Sequence, residues 1–474
     1  MRVFLINPGN PVVSLTKLGR WNKLNKYRAW KPLGLLVLAA LTPSEWELEV
    51  FDENLGPVDY ERFPRPDLVG ITAFTSQATR AYQLAAQFRA RGAQVVMGGI
   101  HASMCRDEAG RHVDAVVVGE AELEWPKVLE DVKSGSLQRV YEGGLVPGER
   151  IPVPRYDMLA GQYYLGSIQT TRGCPLRCNF CSVTAFSGGR FRHRPIENVI
   201  KDLRQIKEKI ILFVDDNLIG TRRDHIAHAK ELFRTMIREG LTKPWACQAT
   251  INFADDDELL DLAQRAGCVG VFTGFESPTA EGLAALHKQF NIRGGRDFQA
   301  SVQRIQQYGI LVVGSFILGI DCDQKGIGEV VARACENYGI DMADVVILTP
   351  LPGTELYREM KQQKRILATN YPADWQYYTM IHPVVTHKNF MGGELVAEMN
   401  RFHDLFYSYP KILRRILRIA VRNWGWPQIA IGLVTNLTYR YNQFQDRKVY
   451  ACLPFGADPD GPSSVTAGAA TETH

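Results

Sequence analysis

Three cysteines lie within eight residues at C-x3-C-x2-C spacing: Cys174, Cys178 and Cys181. The segment also carries Pro, Arg and Asn, which suit a loop better than a buried core segment, and it directly follows a strand-like run at residues 166–170. Structural zinc usually takes four ligands in paired knuckles, and no second pair follows at that spacing. A disulfide would leave an odd thiol. Because thiolates hold iron-sulfur clusters, the spacing favours a four-iron cluster with one iron open to a small ligand.

Composition places the chain among globular proteins of several domains. It has 474 residues, 45% apolar and 22% charged, and a formal net charge of +4. Because positive and negative charges nearly balance, the protein as a whole has no strong positive potential that would attract nucleic acid, and no nucleic-acid partner is expected. The other six of the nine cysteines lie singly, the first residues lack the features of a signal peptide, and no uncharged apolar stretch is long enough to span a bilayer. We therefore expect a cytoplasmic protein.

Short apolar runs alternate with helical patterns over residues 1–133 and predict an α/β fold with a doubly wound, Rossmann-like parallel sheet. In such sheets, ligands bind beyond the carboxyl ends of the strands. The small and polar residues at those ends form the predicted ligand site: Thr72, Ser76, Gly98, Gly99, His101, Gly119 and Glu120. Taken singly, each glycine could equally serve only to make a tight turn.

Residues 134–163 lose this periodicity, gain Gly, Pro and Ser, and are predicted to be a linker. Six strand and helix units then follow over residues 164–361 and predict a partial (β/α)6 barrel, in which chemistry occurs at the carboxyl ends of the strands. The polar and small residues at those ends are Asp215, Asp216, Asn217, Glu276, Ser277 and Gly319. Acids at strand ends also serve as helix caps, so that interpretation stays open.

The remainder is predicted to be a mainly helical region, residues 362–455, followed by a disordered tail, residues 456–474, rich in Gly, Ser, Thr and Ala. Between Asp404 and Asp446 the sequence has no acid, while arginines interleave with apolar residues. This basic amphipathic pattern over residues 408–441 is typical of a helix that contacts a membrane surface. The alternative is a helix docked on the barrel with its arginines outward.

With Phe180 before the last cysteine, the motif resembles that of the radical S-adenosylmethionine (SAM) enzymes. The resemblance implies a [4Fe-4S] cluster held by the three cysteines, with SAM chelating the fourth iron and yielding a 5'-deoxyadenosyl radical. It further implies that the acids and amide at residues 215–217 accept from the SAM ammonium, that Glu276 and Ser277 hold the ribose, and that Gly319 lies along the adenine.

The preceding segment, Gly-Gly-Ile-His-Ala at residues 98–102 and Val-Val-Val-Gly-Glu-Ala-Glu at residues 116–122, is similar to the cobalamin-binding domain found before many radical SAM enzymes. In other cobalamin domains a histidine reaches the lower face of cobalt. Here Asn54 stands at the corresponding place. The resemblance therefore implies bound cobalamin with a lower ligand that is absent or is not histidine.

Together these features resemble cobalamin-dependent radical SAM methyltransferases, and residues 213–220 and 256–262 resemble the branch that contains hopanoid C-2 methylases. The resemblance implies methylation of an unactivated carbon of a small-molecule or lipid substrate, apolar or polycyclic, with electrons from a flavodoxin- or ferredoxin-like reductant. The alternatives are a cyclase or oxidase without methyl transfer, as in tetrapyrrole-cyclase relatives, and a non-catalytic cobalamin and iron-sulfur module.

Overall fold

The computed structural model describes residues 1–11, 31–422 and 425–450. Two six-stranded parallel sheets form the centre of the molecule, each covered by helices. This arrangement confirms the predicted α/β class, with a Rossmann-like sheet first and a partial barrel second. None of the helices in these residues combines the length and apolarity needed to span a bilayer.

The first sheet has the strand order β2-β1-β3-β4-β5-β6, and all of its neighbouring strands are parallel. Its strands are β1 (Arg2–Asn7), β2 (Glu47–Asp52), β3 (Leu68–Thr72), β4 (Gln94–Gly98), β5 (Ala115–Gly119) and β6 (Val140–Gly144). Its helices are α1 (Leu33–Leu41), α2 (Ala78–Ala90), α3 (Gly99–Met104), α4 (Arg106–His112) and α5 (Trp125–Ser134). The order reverses beside β1, which creates the crevice where doubly wound folds bind ligands.

The segment expected to be a linker contributes β6, which pairs with β5 at the edge of the first sheet. Only Tyr141 of its five residues is buried and two of the five are glycines, so this edge strand carries little of the hydrophobic pattern by which strands are recognised. The sheet therefore extends beyond the boundary expected at residue 133.

The second sheet has the order β14-β13-β12-β11-β10-β7 and is also parallel throughout. Its strands are β7 (Leu165–Ile168), β10 (Ile210–Phe213), β11 (Trp245–Gln248), β12 (Cys268–Glu276), β13 (Leu311–Leu318) and β14 (Met342–Ile347). A short antiparallel pair, β8 (Thr171–Arg172) and β9 (Arg192–His193), frames the cysteine loop. Because β7 and β14 each have one neighbour, the barrel is open.

Seven helices accompany the second sheet: α6 (Ser182–Ser187), α7 (Ile196–Gln205), α8 (Arg223–Arg238), α9 (Asp257–Arg265), α10 (Ala280–Ala285), α11 (Phe298–Gln307) and α12 (Ile327–Tyr338). α13 (Glu355–Gln362) follows β14. The carboxyl-terminal region contains α14 (Glu394–Phe406), α15 (Tyr409–Val421) and α16 (Trp426–Tyr450). The predicted tail, residues 456–474, lies outside the described residues.

One continuous core joins the two sheets. A large apolar cluster runs from Leu5 and Trp125 of the first domain to Phe213 and Phe316 of the second. A second cluster packs Trp375 against the far side of the first sheet. Because apolar burial is the main stabilising contribution to folding, the two sheets and the segment after the barrel are held in one fixed arrangement.

Candidate active site

The three cysteines lie on the loop between β8 and α6, and all three are free thiols. The loop can turn here because Gly173 has a φ of 81° and a side chain would meet the carbonyl oxygen of Arg190 at 2.1 Å. Burial raises the pKa of Cys178 to about 12 and also raises the pKa of Cys174 and Cys181. The unligated thiols are therefore protonated, and a bound metal cluster is what would ionise them.

The donor chemistry fits an iron-sulfur cluster, because three thiols without disulfide partners, one buried and two half-buried, share one short loop. Within the described ranges, no group of three or more His, Cys, Asp or Glu side chains is arranged so that it could hold a single metal ion. Ligands of one ion lie closer together than thiolates around a four-iron cluster, so the two observations agree.

The predicted Asp215–Asn217 set divides between three different environments. Asp215 is fully buried, and its Oδ1 accepts hydrogen bonds from the backbone N–H and hydroxyl groups of Thr170 and Thr171. Burial raises its pKa to about 6. Asp215 thus braces the chain just before the cysteine loop, whereas the Asn217 amide donates to Cys174 Sγ at 3.7 Å.

Asp216 points the other way from this pair. Its Oδ2 accepts from the backbone N–H of Gly173 at 3.0 Å, and it lines a cavity between the two sheets. Burial raises its pKa. Only Asn217 of the three therefore has a contact with a predicted cluster ligand.

At the end of β12, Glu276 forms a buried ion pair with Lys288, with 2.8 Å between Oε1 and Nζ. Glu276 has a φ of 67°, which is rare for a residue with a side chain and is a feature of functional sites. Burial alone would lower the pKa of Lys288, but the charge of Glu276 and the neighbouring Cys178 raise it overall. A permanent positive charge therefore lies beside the cysteine loop.

Sequence reasoning missed Lys288, since a single lysine in a turn carries no pattern. The other predicted ribose contact, Ser277, lies 3.2 Å from the Thr279 hydroxyl at the start of α10.

Gly319 directly follows β13 with a φ of 90°, and a side chain there would meet His387 Nδ1 at 2.6 Å. The Gly319 carbonyl is 2.9 Å from the same nitrogen. The close approach that the sequence predicts at Gly319 is thus made by His387 of the carboxyl-terminal region.

A cavity of about 350 Å³ lies between the carboxyl ends of the first sheet and the cysteine-loop domain. Five of the seven residues predicted at this site line it: Thr72, Gly98, Gly99, Gly119 and Glu120. The opposite wall includes Gly173, Arg172, Arg192 and Asp216. Most of the remaining lining is apolar, for example Leu35, Val117 and Trp125, so the cavity suits a large ligand with both apolar and polar parts.

The other two predicted residues, Ser76 and His101, do not line this cavity. His101 is fully buried, with Nε2 2.9 Å from the Tyr82 hydroxyl and 3.6 Å from Glu108 Oε1, and Trp375 packs against its ring. The expectation that His101 contacts the ligand therefore needs correction, because α3 turns the ring into the protein.

No histidine among the described residues lines the cavity, and residues 12–30 contain none in their sequence. Asn54, at the place of a cobalt-binding histidine, is buried and donates to Asp52 Oδ1 at 2.7 Å. In the part of the chain that the structure describes, neither Asn54 nor any histidine is therefore placed to contact a ligand in this cavity.

Charged side chains join the two domains at the cavity. Arg192 donates to Glu120 Oε2 at 2.8 Å, and Arg172 pairs with both Glu120 and Glu122. Burial by itself would raise the pKa of Glu120, but the two arginines hold it below its usual value. These ion pairs connect strand ends of the first sheet directly to the chain around the cysteine loop.

Comparison with protein families matches residues 25–129 to the B12 binding domain and residues 168–325 to the radical SAM superfamily. The chain is a radical SAM enzyme with a B12-binding domain. The cavity thus lies within and beside the B12-binding domain, and the cysteine loop lies within the radical SAM domain. The cofactors that these domains imply are a [4Fe-4S] cluster, SAM and cobalamin.

Two curated relatives of this radical SAM enzyme are methyltransferases. Bacteriochlorophyllide d C-12(1)-methyltransferase of Chlorobaculum tepidum is 28% identical over 83% of this chain and 86% of its own length. Hopanoid C-2 methylase of Rhodopseudomonas palustris is 30% identical over 71% of this chain and 65% of its own length.

A solved structure shares the fold along nearly the whole chain. The radical SAM methyltransferase TsrM of Kitasatospora setae, with cobalamin and a [4Fe-4S] cluster bound, covers 95% of this chain and 99% of its own. It matches with a TM-score of 0.60 at 18% identity. At this identity the likeness supports the fold and the order of the domains only.

Proposed function

We propose that this radical SAM enzyme methylates an unactivated carbon of an apolar or polycyclic metabolite. The observation that carries the proposal is the shared wall of the cavity: Gly173 and Asp216 line it, and Cys174 follows Gly173 directly. A ligand on the B12-binding domain and a cluster on the cysteine loop would therefore be neighbours. Methyl transfer to a carbon radical needs such proximity.

The roles of the chain's residues follow from their positions. When bound, the cluster with SAM supplies a carbon-centred radical, and cobalamin supplies the methyl group. Cys174, Cys178 and Cys181 would hold the cluster. Thr72, Gly98, Gly99, Gly119 and Glu120 would hold cobalamin in the cavity, whose apolar walls exclude water.

The SAM side of the site is assigned to the strand ends of the barrel. Asn217, next to Cys174, would accept from the SAM ammonium, with Asp216 nearby. Glu276 and Ser277 would hold the ribose hydroxyls, whereas Gly319 is in close contact with His387 and is not assigned to the adenine. Asp215 would act by fixing the Thr170 and Thr171 backbone. The Lys288 ammonium, close to Cys178, adds a positive charge suited to a carboxylate ligand.

The proposed substrate class is supported by the relatives, whose names specify a chlorophyllide and a hopanoid. Both are large, mostly apolar ring systems. From these relatives we extend to this chain only the shared substrate chemistry. We further propose that the protein is cytoplasmic, that it receives electrons from an external flavodoxin- or ferredoxin-like reductant, and that it contacts a membrane peripherally through residues 408–441. An apolar substrate of this kind would itself reside at a membrane.

The test is anaerobic incubation of the reconstituted enzyme with a reductant, candidate polycyclic lipids or tetrapyrroles, and SAM carrying a labelled methyl group. Methyl transfer predicts label in the product together with 5'-deoxyadenosine. Ring closure or oxidation with 5'-deoxyadenosine but without label would favour the cyclase alternative. Absence of SAM cleavage by the reduced, cluster-loaded protein would favour the non-catalytic module.

A further inference from the structure

The helix α15 has an apolar stripe that faces solvent. Its buried side carries Ile412, Arg415 and Ile419. On another side, Tyr409, Leu413, Leu417 and Val421 follow one another at four-residue spacing, so they share one face of the helix. All four are exposed, from 55% for Leu417 to 80% for Val421. A helix that only docked on the barrel would not need this second apolar face.

The neighbouring helix α16 adds to the same kind of surface. Trp426 is 78% exposed, and Leu433, Leu437 and Tyr441 are exposed at helical spacing. The two helices pack closely where Gly432 meets Ile416 and Ile419, because a side chain at Gly432 would lie 2.8 Å from Ile419. We call the exposed apolar residues of both helices the apolar ridge. Exposed apolar surfaces larger than those usual on a single soluble protein mark contact sites.

The ridge is held rigidly by buried polar contacts on the opposite side. Arg415 donates to the Phe406 carbonyl at 2.8 Å and to Asn436 Oδ1 at 2.9 Å. Asn436 in turn donates to the carbonyl of Asp341, just before β14. Since these contacts fix both helices to the barrel, the ridge is a permanent feature of the outer surface.

A basic face lies beside the stripe on α15. It consists of Lys411, Arg414, Arg418 and Arg422, which follow each other at three- and four-residue spacing. Lys411 is paired with Glu336, and Arg422 lies 3.7 Å from Asp341, but Arg414 is exposed. Acids of neighbouring elements, Glu336 and Asp341, thus partly neutralise this face, and Arg414 carries its exposed positive charge.

We propose that the apolar ridge docks on the surface of a membrane that contains anionic lipids. Apolar side chains would enter the boundary of the acyl chains, while the basic face contacts negatively charged headgroups. Trp426 suits the interfacial layer, where tryptophan is enriched. A second copy of this chain is a poorer partner for the ridge, because a symmetric contact would bring the two basic faces together and their like charges would repel.

This inference deepens the proposed membrane contact and does not depend on methyl transfer. The test is flotation of the full-length protein with vesicles of phosphatidylcholine alone or with one quarter phosphatidylglycerol, at low and high salt. We expect binding to the anionic vesicles that weakens with salt. Leu413→Glu with Leu417→Glu should reduce the partition constant by more than about 100-fold, because two apolar anchors are lost. Arg414→Gln should reduce it about fivefold.

The matched control is Val330→Glu with Leu367→Glu, which places the same charges at exposed apolar positions of other surfaces. It should bind vesicles as the unchanged protein does. The inference is overturned by absence of binding to anionic vesicles, by equal losses in the ridge and control variants, or by a solution dimer that the ridge variant abolishes. SAM cleavage without vesicles should be retained in the ridge variant, so a failure of catalysis is distinguished from a failure of docking.

Discussion

At the scale of single residues, the cysteine loop is surrounded by groups that set its charge. Burial keeps the unligated thiols protonated, so iron binding and thiol ionisation are coupled. Asn217 touches Cys174, and the ammonium of Lys288 lies close to Cys178. Asn217 can therefore donate to a ligand thiolate, and the charge of Lys288, which Glu276 partly neutralises, favours the ionised form of Cys178.

Replacing Cys178 by alanine should abolish cleavage of SAM while cobalamin still binds, since the cavity proposed to hold cobalamin does not include this residue. Iron content, 5'-deoxyadenosine formation and bound cobalt are the measurements. Cys335→Ala, a buried cysteine on α12, is the control and should retain iron. SAM cleavage at the unchanged rate by Cys178→Ala would remove this residue from the ligand set.

Replacing Lys288 by methionine should destabilise the protein by about 3–5 kcal/mol, because it leaves the Glu276 carboxylate buried without a partner. Removing both charges, with Glu276→Gln and Lys288→Met together, should cost less than the lysine change alone. Thermal unfolding of the two variants measures the difference. Equal losses of stability in the single and double variants would show that the Glu276–Lys288 ion pair does not stabilise the protein as a coupled unit.

At the scale of elements, three histidines connect α8 to the strand after the cysteine loop. His193 on β9 lies with its ring centre 4.1 Å from that of His228 and 5.5 Å from that of His225. Burial, together with these neighbours, lowers the pKa of His193 to about 4. Burial also lowers the pKa of His225 and His228. Asp224 and Glu197 partly oppose this effect.

Acid should therefore loosen this contact. Between pH 6.5 and about 4 the unfolded chain binds protons that the folded chain excludes, so stability is full above pH 6.5 and falls with pH below it. Between pH 7.5 and 5.5 we expect His193→Gln to lose about 1–2 °C less in Tm than the unchanged protein. The exposed His287→Gln is the control. Parallel Tm losses in all three proteins would contradict the argument.

At the scale of the whole molecule, catalysis requires two domains in one fixed relation. The shared core sets their approach, and the Glu120, Arg172 and Arg192 ion pairs align the cavity with the cysteine loop. Arg192 also donates to the carbonyl of Val146, so it holds both the strand end and the segment after β6.

Arg192→Met should uncouple the two halves of the reaction. Cleavage of SAM depends on the barrel and should persist, while methylated product should fall by about 100-fold, as expected for a small misplacement of reacting groups. The ratio of labelled product to 5'-deoxyadenosine is the measurement. Arg190→Met, at an exposed position of the same loop, should keep the ratio. A product loss matched by an equal loss of SAM cleavage would argue against an alignment role.

Much of the fold was predictable because its signals are local. Apolar runs alternating with helical periods specify both parallel sheets, since each strand and helix is encoded by neighbouring residues. The edge strand β6 was missed, because it has one buried residue and two glycines and so carries little hydrophobic pattern. Of the predicted ligand residues, those on strand ends of the first sheet line the cavity. Ser76 and His101 do not, since the sequence does not show which way a turn orients its side chains.

The sequence by itself determined the chemical class of this protein: three thiols at fixed spacing after a strand, preceded by a glycine-rich parallel-sheet domain. Only the tertiary structure decided what surrounds them. Lys288 reaches Glu276, Arg192 reaches Glu120, and the stripe on α15 stays in solvent, because each depends on which distant elements pack together. Spacing along the chain encodes ligands that act together, whereas burial and charge pairing arise only when the chain has folded.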